Sequence, residues 1–149
     1  MGESTGPSWA RYSWNPWEGC DKRATGCQHC CIHRIMAQQE KQPWGEVERA
    51  AGVWDEPLKL QARAAKDGVC ERIFPCSPSN FFHAKADQWR DEAWEIIRQT
   101  PNLVYFVLTK RPPRILSHLP MDWPSVSRDQ IVLVGAGALA EFQIAGELN

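Results

Sequence analysis

The sequence predicts an α/β protein whose parallel sheet is built from about four βα units. Three observations carry this. Short apolar or aromatic stretches alternate along the chain with stretches of helical periodicity. Two of the apolar stretches, Leu-Val-Tyr-Phe-Val-Leu at 103–108 and Ile-Val-Leu-Val at 131–134, are unbroken, the pattern of strands buried on both faces. The 149 residues suffice for one domain with its own core, but not for a complete (β/α)8 barrel, which takes about 250.

Taken in order, residues 1–10 read as a mobile terminus. Residues 11–17 are aromatic and short and suit a first strand. Residues 18–30 form a loop with Gly19, Gly26 and three cysteines and no periodicity. A helix follows to residue 41, with Ile32, Ile35 and Met36 at i, i+3 and i+4. Residues 42–55 are irregular, with Pro43, Gly45 and Gly52. Pro57 opens a short helix to residue 66. Residues 72–76 suit a strand, although Pro75 removes a ladder donor. After a loop at 77–86, residues 87–99 form the strongest helix, with Trp89, Ala93, Ile96 and Ile97 as its apolar stripe and Thr100-Pro101 as its stop. The strand at 103–108 ends in Thr109-Lys110-Arg111-Pro112, a short helix is expected at 113–118, and the strand at 131–134 runs into Gly135-Ala136-Gly137. Strands joined through helices imply a parallel sheet, and such folds place their chemistry at the carboxyl ends of the strands.

Lys plus Arg total 17 and Asp plus Glu 18, a net charge of -1 that gives no general attraction to nucleic acid or membranes. No apolar run reaches the ~18 residues of a membrane span, and the first seven residues lack a signal-peptide core. A cytoplasmic location, where thiols stay reduced, is the expectation.

Cysteine usage carries the chemistry. Four of six cysteines (Cys20, Cys27, Cys30 and Cys31) fall within twelve residues. Cys20, Cys27 and Cys30 have the spacing C-x6-C-x2-C, in which two thiolates come from one turn and a third from across the loop. Three thiolates leave one position open on a tetrahedral zinc or a four-iron cluster; Cys31, His29 or His33 could close it. The remaining reading is that they are reduced cysteines packed as small hydrophobes. Cys70 and Cys76 read as core.

The run Ser13-Trp14-Asn15-Pro16-Trp17-Glu18-Gly19-Cys20, then Gly26-Cys27-Gln28-His29-Cys30, resembles the bacteriophage-associated three-Cys-motif proteins, an uncharacterised group similar to radical SAM enzymes. Asp55-Glu56-Pro57-Leu58, the segment from Arg72 through Ser77 to Phe81-Phe82-His83, Thr100-Pro101-Asn102-Leu103 and Leu108-Thr109-Lys110-Arg111-Pro112 follow in the family's order, over about residues 12–124. The resemblance implies a partial, truncated TIM-like barrel at 11–124, followed by a last strand and an atypical tail at 125–149. It implies a 4Fe–4S cluster on Cys20, Cys27 and Cys30, with S-adenosylmethionine on the open iron and a hydrogen-abstracting radical as product of its cleavage. The sequence departs from the pattern at the six-residue gap between Cys20 and Cys27, at His29 and Cys31 in place of aromatics, and at Asn80 in place of Asp.

Other candidates sit at strand ends. Ser77, Asn80, Thr109, Lys110 and Arg111 are candidate cofactor-binding residues, with cations suited to a carboxylate or phosphate. Ser77, Ser79 and Asn80 equally suit turns and caps, and the Thr109–Arg111 charges equally suit a solvated loop end. His83 lacks an identifiable partner for a general base. Residues 135–140 formally fit G-x-G-x-x-A, but a strand end with a small-residue turn is the expectation. Trp14 and Trp17 flank the cysteine loop, where they would shield a cluster or, as a sharper alternative, stack on bases. The substrate and the catalytic residues are unknown from sequence, a nucleic-acid partner has no support from charge, and the competing functions are a zinc-binding module or a metal-free fragment. Half a barrel leaves unpaired sheet edges, so either pairing with a second chain or impaired activity is expected.

Overall fold

The computed structural model describes residues 8–22, 25–38, 45–122 and 130–135, with residues 25, 26, 31, 33, 35, 134 and 135 described by backbone alone. Strands β1 (Tyr12–Trp14), β4 (Glu71–Pro75), β5 (Leu103–Thr109) and β6 (Ile131–Gly135) form a four-stranded sheet in the order β1-β4-β5-β6, and every pairing is parallel. Helix α1 (Cys31–Gln38) and helix α2 (Glu56–Asp67) lie between β1 and β4, and helix α3 (Asp87–Arg98) lies between β4 and β5. The α/β architecture with parallel strands alternating with helices is as the sequence predicts. No helix among the described residues is long and apolar enough to cross a membrane.

Local chemistry sets the element ends. Pro57 stands in the first turn of α2, where its missing N–H costs nothing. Gly68 ends α2 at φ +67, and its N–H and that of Val69 cap the carbonyls of Ala65 and Ala64. Thr100 stops α3: its hydroxyl hydrogen is shared between the carbonyls of Ile96 and Ile97, so Tyr105 O–H is the donor in the 2.8 Å bond to Thr100 Oγ1. Pro75 ends β4 at the last paired position opposite Trp14, and Cys76 N–H resumes the bonding to Trp14 O.

The core lies between one face of the sheet and helices α2 and α3. Leu60 and Ala64 from α2 and Ala93, Trp94, Ile96 and Ile97 from α3 cover Ile73, Leu103, Tyr105 and Val107. The buried stripe of α3 includes Arg90 and Trp94, while Trp89 is only half-buried. Four elements differ from the sequence expectation. The β5 run is fully buried on one face only; Val104, Phe106 and Leu108 on the other are half-buried, with Trp9 packed on Phe74 and Phe106. Residues 113–118 form no α-helix but two 3-10 turns, Pro112–Arg114 and Leu116–His118, because adjacent prolines remove two successive donors. The irregular stretch at 42–55 contains β3 (Glu48–Arg49), which pairs antiparallel with β2 (Trp17–Glu18). The expected first strand is thus split, with β1 in the main sheet and β2 in this ribbon. Exposed Glu48 and Arg49 give the ribbon no hydrophobic period to read.

Gly19 follows the β2 strand of the ribbon. Its φ is +94, and a Cβ built there would lie 2.2 Å from Glu46 O. Both the backbone conformation and the close approach exclude a side chain. Gly19→Ala should therefore lower unfolding free energy by about 2–4 kcal/mol in urea titrations, unlike Gly45→Ala, where φ is outside the left-handed region and a Cβ would meet nothing within 4 Å.

Candidate functional site

Three loops meet at the carboxyl end of the sheet: Asn15 to Asp21 after β1, Cys76 to His83 after β4, and Thr109 to Arg111 at the end of β5. They are tied by side chains placed where the sequence allows only a turn. Asn15 Oδ1 accepts from Ser77 N at 2.9 Å and Ser77 Oγ at 3.1 Å. Ser79 Oγ donates to Gly19 O at 2.5 Å. Asn80 is buried and central: its Oδ1 accepts from Phe82 N at 3.0 Å and Thr109 Oγ1 at 2.9 Å, and its carbonyl accepts from Trp17 Nε1 at 3.1 Å. Thr109 Oγ1 in turn accepts from Arg111 N at 3.0 Å. Cys76 carries the turn out of β4 at φ +57, a left-handed conformation uncommon for a residue with a Cβ. It brings Ser77 N–H to Asn15 and Ser79 N–H to the Cys76 carbonyl.

Above this knot, Asp21 receives two donors on one oxygen. Arg111 Nη2 donates to Asp21 Oδ1, and His83 Nε2 lies 3.0 Å from the same atom. The His83 tautomer follows from its other nitrogen. Lys85 N–H, which can only donate, bonds to Nδ1 at 3.2 Å, so the ring proton of neutral His83 is on Nε2 and points at Asp21. The Arg111 and His83 side chains are 8% and 3% exposed, whereas Asp21 is 44% exposed. Two buried donors thus converge on a carboxylate that reaches in from the cysteine loop. The Cys20 thiol sits beside the same guanidinium: burial pushes the thiol up, and Arg111 offsets only part of that rise.

A family model described as a protein of unknown function, DUF5131, matches residues 4–139. The chain belongs to the DUF5131 family. No curated protein and no solved structure matches it.

In this DUF5131 member the residues singled out from sequence are distributed unequally. Ser77, Asn80, Thr109 and Arg111 come together at the strand ends, and Lys110 lies between the last two, half-buried. His83 has the partner that the sequence could not identify, but with both ring nitrogens engaged it positions Asp21 and is not poised as a base. The cysteines are less assembled. Cys27 and Cys30 lie on one turn, with Cys30 N bonded to Cys27 O at 3.4 Å, and Cys27 is buried while Cys20 and Cys30 are half-buried. Among the described residues, no three Cys, His, Asp or Glu side chains form a group able to hold a metal ion. His29 is exposed, and the side chains of Cys31 and His33 lie outside the described residues, as do residues 136–140 of the glycine-alanine turn.

One core assignment changes. Cys76 is buried as expected, but Cys70 is exposed at the turn before β4. Trp14 and Trp17 are fully buried and their indole N–H groups bond Val53 O and Asn80 O, so neither presents a face for stacking on bases. Trp17 packs on Phe81 at 5.3 Å, and Trp14 on Tyr105 at 6.1 Å. They hold the base of the cysteine loop.

The loop after β4 is braced by arginines that sequence reading missed. Buried Arg90 donates from Nε to Phe81 O at 3.0 Å and from Nη2 to His83 O at 2.7 Å. Arg114 donates to Phe82 O at 2.9 Å. Asp87 joins them, bonding Arg90 at 2.5 Å and both oxygens to Arg114 at 2.7 Å. Burial alone would raise the Asp87 carboxyl, but the bonds from Arg114 and Arg90 outweigh it and hold the carboxyl below its usual range. The folded value thus lies below the unfolded one of about 3.9. The brace contributes fully above about pH 4 and is lost as pH falls through the folded value. The stability difference between wild type and Asp87→Asn should shrink as pH falls below about 4 in urea titrations; a difference that does not shrink there would contradict the brace.

Proposed function

We propose that this chain is an iron–sulfur protein of the radical SAM-like kind, with Cys20, Cys27 and Cys30 as ligands of a 4Fe–4S cluster and S-adenosylmethionine as its cofactor. The observation that carries the reading is placement. The cysteine loop follows β2 beyond the carboxyl end of the first sheet strand, and its Asp21 bonds Arg111, whose backbone N–H is held by Thr109, which in turn bonds Asn80. The similarity to bacteriophage-associated three-Cys-motif proteins supports the same reading and a phage or prophage origin.

The arrangement of the sulfurs sets a requirement on the proposal. Cys20 is anchored: its carbonyl accepts from Gly45 N at 3.2 Å, and the preceding Gly19 is held by Ser79 and by its close approach to Glu46. Cys27 and Cys30 share one turn, so ligation by all three sulfurs requires that turn and Cys20 to face one cluster.

Anaerobic reconstitution of the full chain with iron and sulfide tests this. The expected product is brown, with about four irons and four sulfides per chain, and Cys27→Ala should abolish the colour while leaving far-ultraviolet circular dichroism unchanged. One tightly held zinc and no iron uptake would make the loop a zinc-binding module instead. A stable fold that takes up neither metal would overturn both.

A further inference from the structure

We propose that Arg111 and His83 form an oxyanion-binding site, and that Asp21 occupies it as a built-in stand-in for an external carboxylate or phosphate. The geometry is that of a site for an anion. A guanidinium Nη2–H and an imidazole Nε2–H, on side chains 8% and 3% exposed, point at one oxygen at the carboxyl end of a parallel sheet. Both donors are fixed before any ligand arrives. Arg111 N–H is held by Thr109 Oγ1, which is held by buried Asn80. The His83 ring is locked by Lys85 N–H on Nδ1, and its carbonyl is held by Arg90. Preformed donors of this kind bind an anion with little loss of freedom.

The acceptor differs from the donors in every respect. Asp21 is nearly half exposed, belongs to no helix or strand, and follows Cys20 in the cysteine loop. A carboxylate on such a tether can leave while the donors stay. Among the described residues, Arg111, His83 and the Cys20 thiol face Asp21, so departure of Asp21 takes this carboxylate away from a buried guanidinium. That is costly unless another anion replaces it. The inference is independent of metal binding by the cysteines, and its test uses the chain without iron.

Binding of inorganic phosphate, and in a separate arm acetate, is measured by calorimetry and thermal unfolding at constant ionic strength. Wild type, Asp21→Ala, Asp21→Asn and Asp21→Asn/Arg111→Gln are compared. Asp21→Ala should bind one oxyanion at least about tenfold more tightly than wild type, and its Tm should rise by about 5–10 °C at a hundredfold excess over Kd. Asp21→Asn keeps an acceptor oxygen for both donors without the charge, so it carries the comparison if the alanine variant does not fold, and it too should exceed wild type. The gain should vanish in the double variant. A stronger response to phosphate than acetate assigns a phosphate-bearing ligand, and the reverse a carboxylate. Equal affinity in wild type and the Asp21 variants, or a gain that survives in the double variant, would overturn the proposal.

Discussion

One carboxylate oxygen ties the cysteine loop to two of the strand ends at once. Asp21 Oδ1 receives Arg111 from the end of β5 and His83 from the loop after β4. Charge-assisted hydrogen bonds of this kind are stronger than neutral ones, and here the two donors are almost wholly desolvated. A chain of bonds at the mouth holds those donors. Asn80 fixes Thr109, Thr109 fixes the Arg111 backbone, and Lys85 fixes the His83 ring. The site is thus rigid on the side of β4 and β5 and tethered on the side of the cysteines.

Burial of so much polarity near an apolar core is tolerable because it is compensated almost group by group. Arg90 lies against the Phe82 ring while three of its nitrogens bond the Phe81 and His83 carbonyls and Asp87. Arg114 takes the Phe82 carbonyl between them. Three consecutive backbone carbonyls, which would otherwise be expensive in a buried loop, are satisfied by two side chains anchored on one aspartate. The aromatic layer below, with Trp17, Phe81 and Trp94 packed ring to ring, gives this network a dry floor.

The fold was legible in the sequence wherever period and punctuation agreed. The apolar run at β5, the stripe of α3 with Thr100-Pro101 behind it, and Pro57 at the start of α2 mark their elements by local rules. Where the outcome depends on tertiary pairing the sequence was silent: Glu48 and Arg49 form a strand only because Trp17 and Glu18 lie opposite. At the site, Ser77, Asn80, Thr109 and Arg111 were legible as strand-end polar residues. Asp21 and Arg90 were not. One looks like an ordinary loop acid and the other like a solvated helix cation, and their partners lie 62 and 90 residues away for Asp21 and on the preceding loop for Arg90. The one available signal was Arg90 on the same side of α3 as Ala93 and Ile97, an arginine in an apolar stripe. The cysteine spacing was plain to read, whereas the placement of the sulfurs was not, because spacing along a loop without periodicity does not specify how the loop folds.

The central claim is that Asp21 and Arg111 interact directly and fasten the loop. A double-mutant cycle on unfolding free energy, with Asp21→Asn, Arg111→Gln and the pair, isolates that interaction from the loss of either group alone. A coupling of at least about 1 kcal/mol is the predicted result, even after allowance for the partial exposure of Asp21. Strict additivity of the two substitutions would contradict it.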